Sequence, residues 1–335
     1  MLNERRRRVL QALVEEYIAS ATPVGSKTLV NRYELGCSPA TVRNELSILE
    51  ETGFLMQPHV SAGRMPTDTG YRSFVDDLLE KGGPVLDGGG DATSSLHKAS
   101  EVDELMRETS VALTRLTDCL AVVLSPSVSL ARVKRIDLLS MAPHRALMVL
   151  ITESGQVVNR SIELAEETAP ERLREVEIAL NAAFDGKRAA DIRPLRVALE
   201  AAHESDVLVS RVVDEILGAL AEADRDRLFH VGIPALLAQP EFHDAAQARP
   251  LIEFLEDGIS VLEALSDALG HRELTVRIGH ENRRAELGNV SIVAINYGVG
   301  SADGVVGVIG PTRMDYSRAM AAVRVIADGL SEALT

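Results

Sequence analysis

The chain has 335 residues, 46% of them hydrophobic and 25% charged, with 3% aromatic residues and no Trp. Those proportions exclude a disordered, collagen-like or disulfide-framework protein and fit two or three compact units with cores of Leu, Val, Ile and Ala. The formal charge of −15 argues against a protein that coats nucleic acid along its whole length, but residues 1–75 hold 9 Lys+Arg against 8 Asp+Glu, so the acidity lies in the remainder.

Asn3 is placed to cap a helix running to Ser20, with Val9, Leu10, Leu13, Tyr17 and Ile18 as its apolar stripe. Arg5-Arg-Arg-Arg8 fans around that helix, so at most two of the four can face one surface. Pro23-Val-Gly25 ends the element, and Ser26 caps a short second helix from Lys27 to Tyr33 with Leu29 and Val30 as core. After the turn Leu35-Gly-Cys37, Ser38-Pro-Ala-Thr-Val-Arg-Asn44 opens a third helix. Ser38 is a good N-cap, Pro39 suits a first helical position, and Gly53 supplies the left-handed closure. Val42, Leu46 and Leu49 share one face. Thr41, Asn44 and Ser47 point the other way with Arg43 on the flank, a surface of short polar groups suited to base edges and phosphates.

Phe54-Leu-Met-Gln57 reads as a short strand, residues 58–64 as a loop with a turn at Gly63, and Thr67 as the cap of a helix from Asp68 to Lys81. Three helices and a returning ribbon in this order make a winged helix-turn-helix, with the wing tip between Ser61 and Arg64. Arg64 is expected to reach phosphate or a narrow minor groove. The candidate DNA-binding residues are therefore Ser38, Thr41, Arg43, Asn44, Ser47, Ser61 and Arg64.

Residues 82–95, glycine-rich and polar, form a linker by composition. A helical pattern covers 96–118, with Leu105, Leu113 and Leu116 apolar, and strand-like runs follow at 120–124, 133–139, 146–152 and 156–162. The last two flank the turn Glu153-Ser-Gly155 as a hairpin. From 166 to 226 the pattern turns helical, punctuated by Pro170, Gly186, Pro194 and Asp206 into about three helices. Strands resume at 274–278, 290–297 and 304–309 before a final helix over 316–334, so the helical block reads as an insertion.

Several segments resemble the bacterial heat-inducible transcription repressor family HrcA: Ser38-Pro-Ala-Thr-Val-Arg-Asn44, Gln57-Pro-His-Val-Ser-Ala-Gly-Arg64, Pro66-Thr-Asp-Thr-Gly-Tyr-Arg72, Gly279-His-Glu-Asn282 and Gly307-Val-Ile-Gly-Pro-Thr-Arg-Met-Asp-Tyr316. The family's usual wording has Thr where this chain has Val60 and Ile where it has Met65. The resemblance implies an α+β multidomain protein. Its parts would be a winged helix over 1–81, the linker 82–95, a GAF-like α/β domain over 96–165 and 231–335, and an inserted, mainly helical dimerisation domain over 166–230. It further implies a homodimer that binds double-stranded DNA at an inverted-repeat operator upstream of chaperone genes, kept active by chaperonin. Heat would divert the chaperonin to unfolded clients and release repression. Arg313 and Tyr316 match family positions without an assignable chemical role.

No cofactor or metal is expected. His59, His144 and His280 are scattered, and none lies at ligand spacing from another His or from Cys37 and Cys119. The two cysteines suggest a reducing compartment and small buried side chains. The glycines of Gly304-Val-Val-Gly-Val-Ile-Gly310 lack dinucleotide-fingerprint spacing and precede Pro311, so a strand and tight turn is the expected structure. The N-terminus lacks the pattern of a secretory signal, and no transmembrane run appears, so the expected location is cytoplasmic with no membrane partner. The main rival is a winged-helix repressor that senses a small ligand in its GAF-like domain. An enzyme with a tethered DNA domain lacks any nucleophile–base pair or paired carboxylates, and a sequence-independent chromosome binder is a third possibility.

Overall fold

The computed structural model describes residues 2–59, 62–84, 102–128, 131–153, 155–188, 207–223, 227–257, 260–261, 264–265, 273–298 and 304–333. The architecture is mixed α/β in three parts: an N-terminal unit, a body, and a unit inserted into the body.

The N-terminal unit contains α1 (Glu4–Ser20), α2 (Ser26–Arg32), α3 (Pro39–Glu51), β1 (Leu55–Met56), β2 (Met65–Pro66) and α4 (Asp68–Glu80). Its helix starts follow local chemistry: Asn3 accepts from the Arg6 amide, Ser38 from Thr41 and Thr67 from Gly70. Ser26 departs from expectation. It is the first helical residue of α2, 8% exposed, and Gly25 holds the cap position without a side-chain bond. Gly53 closes α3 with φ +81°. Val9, Leu13, Leu29, Val42, Leu46 and Leu49 bury together from the three helices. β1 and β2 pair antiparallel, Leu55 with Pro66 and Met56 with Met65.

The body is a five-stranded antiparallel sheet ordered β7-β3-β10-β9-β8, from β3 (Leu120–Leu124), β7 (Leu228–Val231), β8 (Thr275–Ile278), β9 (Val290–Tyr297) and β10 (Gly304–Pro311). Its strands are apolar on both faces because both are covered. Ala121, Val123, Val293, Val306 and Val308 face α5 (Val102–Thr117) and α10 (Tyr316–Ala333). Leu120, Val122, Leu124, Ile292, Val305 and Ile309 face the other layer, which includes α8 (Ile233–Leu237) and α9 (Ala245–Glu256). β10 is thus a fully buried strand ending in a turn at Pro311, as its sequence suggested.

The inserted unit corrects the expected boundaries. β4 (Val133–Ala142), β5 (Arg145–Thr152) and β6 (Val157–Glu163), assigned from sequence to the 96–165 segment of the body, form a separate three-stranded sheet. They share a hydrophobic core with α6 (Pro170–Phe184) and α7 (Val207–Ala223). The chain leaves the body after Leu124 and re-enters at Leu228, which are register partners, and the Ser125 amide donates to Arg227 O at 2.9 Å. The insertion therefore spans 125–227 and is α+β, where 166–230 and mainly helical were expected. Periodicity finds strands but carries no information about which sheet they join. The outer edge of β4 is closed by α6: Asn181 exchanges hydrogen bonds with both backbone groups of Ile136 (2.9 and 2.6 Å), and Glu177 accepts from the Leu138 amide at 2.9 Å.

Candidate nucleic-acid interface

The first turns of α3 stand out from the N-terminal unit. Ser38, Pro39, Ala40, Arg43 and Asn44 are exposed, while Val42, Glu45, Leu46 and Leu49 hold the helix down. Ser38 Oγ accepts from the Thr41 amide at 3.2 Å and lies 3.0 Å from Thr41 Oγ1, so these two hydroxyls are partly engaged with each other. Ser47 Oγ donates back to Arg43 O at 3.1 Å and keeps its lone pairs outward. The Arg43 and Asn44 side chains have no hydrogen-bond or ion-pair partner among the described residues, and both are donors that can read base edges.

Arg64 lies elsewhere than expected. Its guanidinium is held by Glu50 of α3, with Nε at 3.0 Å and Nη2 at 2.9 Å from the same carboxylate oxygen. Its backbone pairs with Val24 in both directions at 2.8 Å. Gly63 makes that approach possible, because a Cβ there would fall 2.5 Å from the Val24 carbonyl. Arg64 thus pins the base of the ribbon to α3 and to the segment before α2. Gln57 Nε2 braces the loop by donating to Ala62 O at 2.8 Å. Of the expected wing tip, Ser61 to Arg64, Ser61 lies outside the described residues, as does Val60 before it.

The arginine run is mostly internal wiring. Arg6 pairs with Glu45 at 3.0 Å, Arg7 with Asp77 at 3.4 Å, and Arg8 donates to Glu34 O at 2.6 Å. Burial raises the Asp77 carboxyl despite the neighbouring Arg7. Arg5 alone of the four has no partner among the described residues. Lys27, exposed in the first turn of α2 and likewise unpartnered among them, was not singled out from sequence. A cation at the start of the helix preceding α3 was the available signal.

Among the described residues no three His, Cys, Asp or Glu side chains are placed to hold a metal ion. No described helix is long and apolar enough to cross a membrane.

Comparison with known proteins decides the family. The family described as the HrcA protein C terminal domain matches residues 103–320. Relatives named heat-inducible transcription repressor HrcA align over nearly the whole length. That of a Nocardioides species is 42% identical, covering 100% of this chain and 99% of the relative. That of Streptomyces albus G is 39% identical, covering 98% and 97%. The chain belongs to the HrcA family. Its coarse function is heat-inducible transcription repression of heat-shock genes, and HrcA proteins as repressors bind rather than catalyse. A crystal structure described as a hypothetical protein at 2.2 Å resolution superposes with a TM-score of 0.71 at 26% identity, covering 100% of this chain and 99% of that one. The HrcA arrangement of sheets and helices described above therefore has an experimental counterpart.

Proposed function

We propose that this HrcA protein binds an inverted-repeat operator upstream of chaperone genes as a homodimer in the cytoplasm, with each N-terminal unit acting as a winged helix. The N-terminal half of α3 enters the major groove, where Arg43 and Asn44 contact bases and Ser38, Thr41 and Ser47 contact bases or phosphates. The observation that carries this reading is the capped, exposed start of α3 with two strong donors left unpartnered among the described residues. Lys27 and Arg5 add phosphate contacts, Ser61 contacts the backbone from the wing, and Arg64 positions that wing.

Dimerisation through the inserted unit is supported by exposed apolar side chains on two packed elements: Leu139 and Met141 on β4 and Ile178 on α6. The body serves as a GAF-like platform between the two. Chaperonin keeps the repressor in its active form, a reading that rests on the family resemblance.

The test is a gel shift of the purified protein against an inverted-repeat probe and a scrambled probe, with and without chaperonin. Selective binding strengthened by chaperonin supports the whole reading, equal binding to both probes sinks it, and selective binding indifferent to chaperonin removes only the chaperonin step. A ligand-controlled repressor is the second reading, favoured by Asn296 in β9, a buried side chain whose amide N and O both lack a hydrogen bond among the described residues. Thermal stabilisation by a metabolite, with changed operator affinity, supports that alternative.

A further inference from the structure

Residues 209 positions apart in sequence meet at one seam between the N-terminal unit and the body. Arg72 of α4 donates from Nε to Glu281 Oε1 at 2.7 Å, makes a second, shorter contact through Nη2 to Glu281 Oε2, and donates to Val276 O at 2.6 Å. Four residues earlier, Asp68 accepts from the His280 amide at 2.9 Å and lies 2.7 Å from His280 Nδ1. Gly279 makes room for it, since its φ is +50° and a Cβ there would sit 2.2 Å from Asp68 Oδ2. Between these pairs the Tyr71 and Tyr316 rings pack with centroids 5.8 Å apart, and both rings are buried. At the far end Arg313 donates to Ile18 O at 2.9 Å, satisfying a carbonyl of the last turn of α1. The side chain of Asn282 holds the loop from within by donating to the carbonyls of Gly279, Leu287 and Val290.

Three of the charged partners, Arg72, Glu281 and Arg313, also have a second bond on their own side. Arg72 keeps Asp76 of α4 at 3.4 Å, Glu281 keeps the Ile278 amide at 2.9 Å, and Arg313 keeps Glu241 at 2.7 Å. Separation therefore leaves Arg72, Glu281 and Arg313 each with a partner, avoiding for these three the unpaired charge that makes breaking buried ion pairs so costly. A seam of this kind closes in one geometry and still opens reversibly. While it is closed, Ser38, Arg43 and Asn44 remain exposed.

We propose that this seam is a latch that holds the N-terminal unit in a fixed orientation on the body, with Arg72 and Glu281 as positioning residues for two-half-site DNA binding. The inference rests on the operator-binding reading above. Half-sites read by a two-fold dimer stand about one helical turn, or a multiple of it, apart. Two units held rigidly at that spacing engage together, whereas loosely tethered units lose effective concentration. A closed latch thus raises affinity for the inverted repeat without touching a base.

The test uses the full chain and the cycle Arg72→Met, Glu281→Gln and both. Glu281→Gln retains an acceptor for the Ile278 amide, so the loop keeps its internal brace. Hydrogen exchange at the His280 amide, which bonds across the seam, reports opening without DNA. We expect exchange there to rise at least tenfold in each single variant, with the amides of α3 unchanged. Inverted-repeat affinity should fall about tenfold while single-half-site affinity holds, and the double variant should be no worse than the worse single. Unchanged exchange overturns the latch. Faster exchange with undiminished inverted-repeat affinity, or an equal loss on the half-site, overturns the positioning role. Fully additive losses overturn action through the pair. A wild-type protein that binds neither probe refutes the operator-binding reading instead, and the exchange measurement still decides whether the pair holds the seam.

Discussion

Glu50 and Arg64 join α3 to the base of the ribbon through two contacts to one carboxylate oxygen, at 3.0 and 2.9 Å. α3, which we propose to face DNA, and the ribbon are therefore set relative to each other in the free protein. The pair is partly exposed, so its own worth to stability is at most about 1 kcal/mol. Its larger value is geometric. Glu50→Ala should leave the melting temperature nearly unchanged yet weaken operator binding, and Arg64→Lys should fail to match wild type because it loses the planar fork. Equal operator binding by Glu50→Ala and wild type would show that the ribbon orients itself without this pair.

Arg43→Ala and Asn44→Ala should each weaken specific binding by roughly 1–3 kcal/mol, the worth of a good base contact. Both side chains lack partners among the described residues, so calorimetric stability should not move. A loss of thermal stability in step with the loss of binding would refute the assignment.

Lys27→Ala and Arg5→Ala should act differently. A phosphate contact carries no sequence information, so binding to specific and scrambled probes should weaken alike. Removing either cation should flatten the logarithmic salt dependence by about 0.9. An unaltered salt slope would place these cations away from DNA.

Replacing residues 125–227 by a two-residue turn should yield a folded body that sediments as a monomer and binds the inverted repeat poorly. The closure is feasible because Leu124 and Leu228 already face each other across β3 and β7. Excising only 168–230 should instead give insoluble protein, since it strips α6 and α7 from Ile136, Met148 and Leu150. A soluble 125–227 deletion that stays dimeric would move the interface elsewhere.

Thiol chemistry should separate the two cysteines. Burial pushes the Cys119 thiol up to about 12, so at pH 8 it is protonated as well as inaccessible. Titration of the native protein with an aromatic disulfide reagent at pH 8 should modify Cys37, which is half-buried, and leave Cys119 untouched until the protein unfolds. Rapid reaction of both thiols would mean that the β3 end of the sheet opens readily.

What sequence made legible was local. Asn3, Ser38, Pro39, Gly53 and Thr67 act within four residues of their own positions, and the structure places each as expected. Ser26 misleads because Ser is at home both at a cap and in a first turn, and Gly25 takes the cap. Arg64 points to DNA in the sequence because nothing in its neighbourhood names Glu50 as a partner. β4, β5 and β6 are readable as strands but not as members of a separate sheet, and β7 and α8 carry too short a pattern to be read at all. The motif Gly279-His-Glu-Asn282 could be quoted but not explained, since its meaning lies in α4.

Heat fills a cell with unfolded chains whose bare strands add themselves to any open β-edge. A protein that must answer to heat meets those chains at their greatest abundance, and a long outermost strand is the natural landing place. In β4 part of the landing place is taken: both backbone groups of Ile136 are already bonded to Asn181 and the Leu138 amide to Glu177. Two side chains of α6 thus stand where an added strand would have to pair, so a chain seeking that stretch of β4 must first displace them.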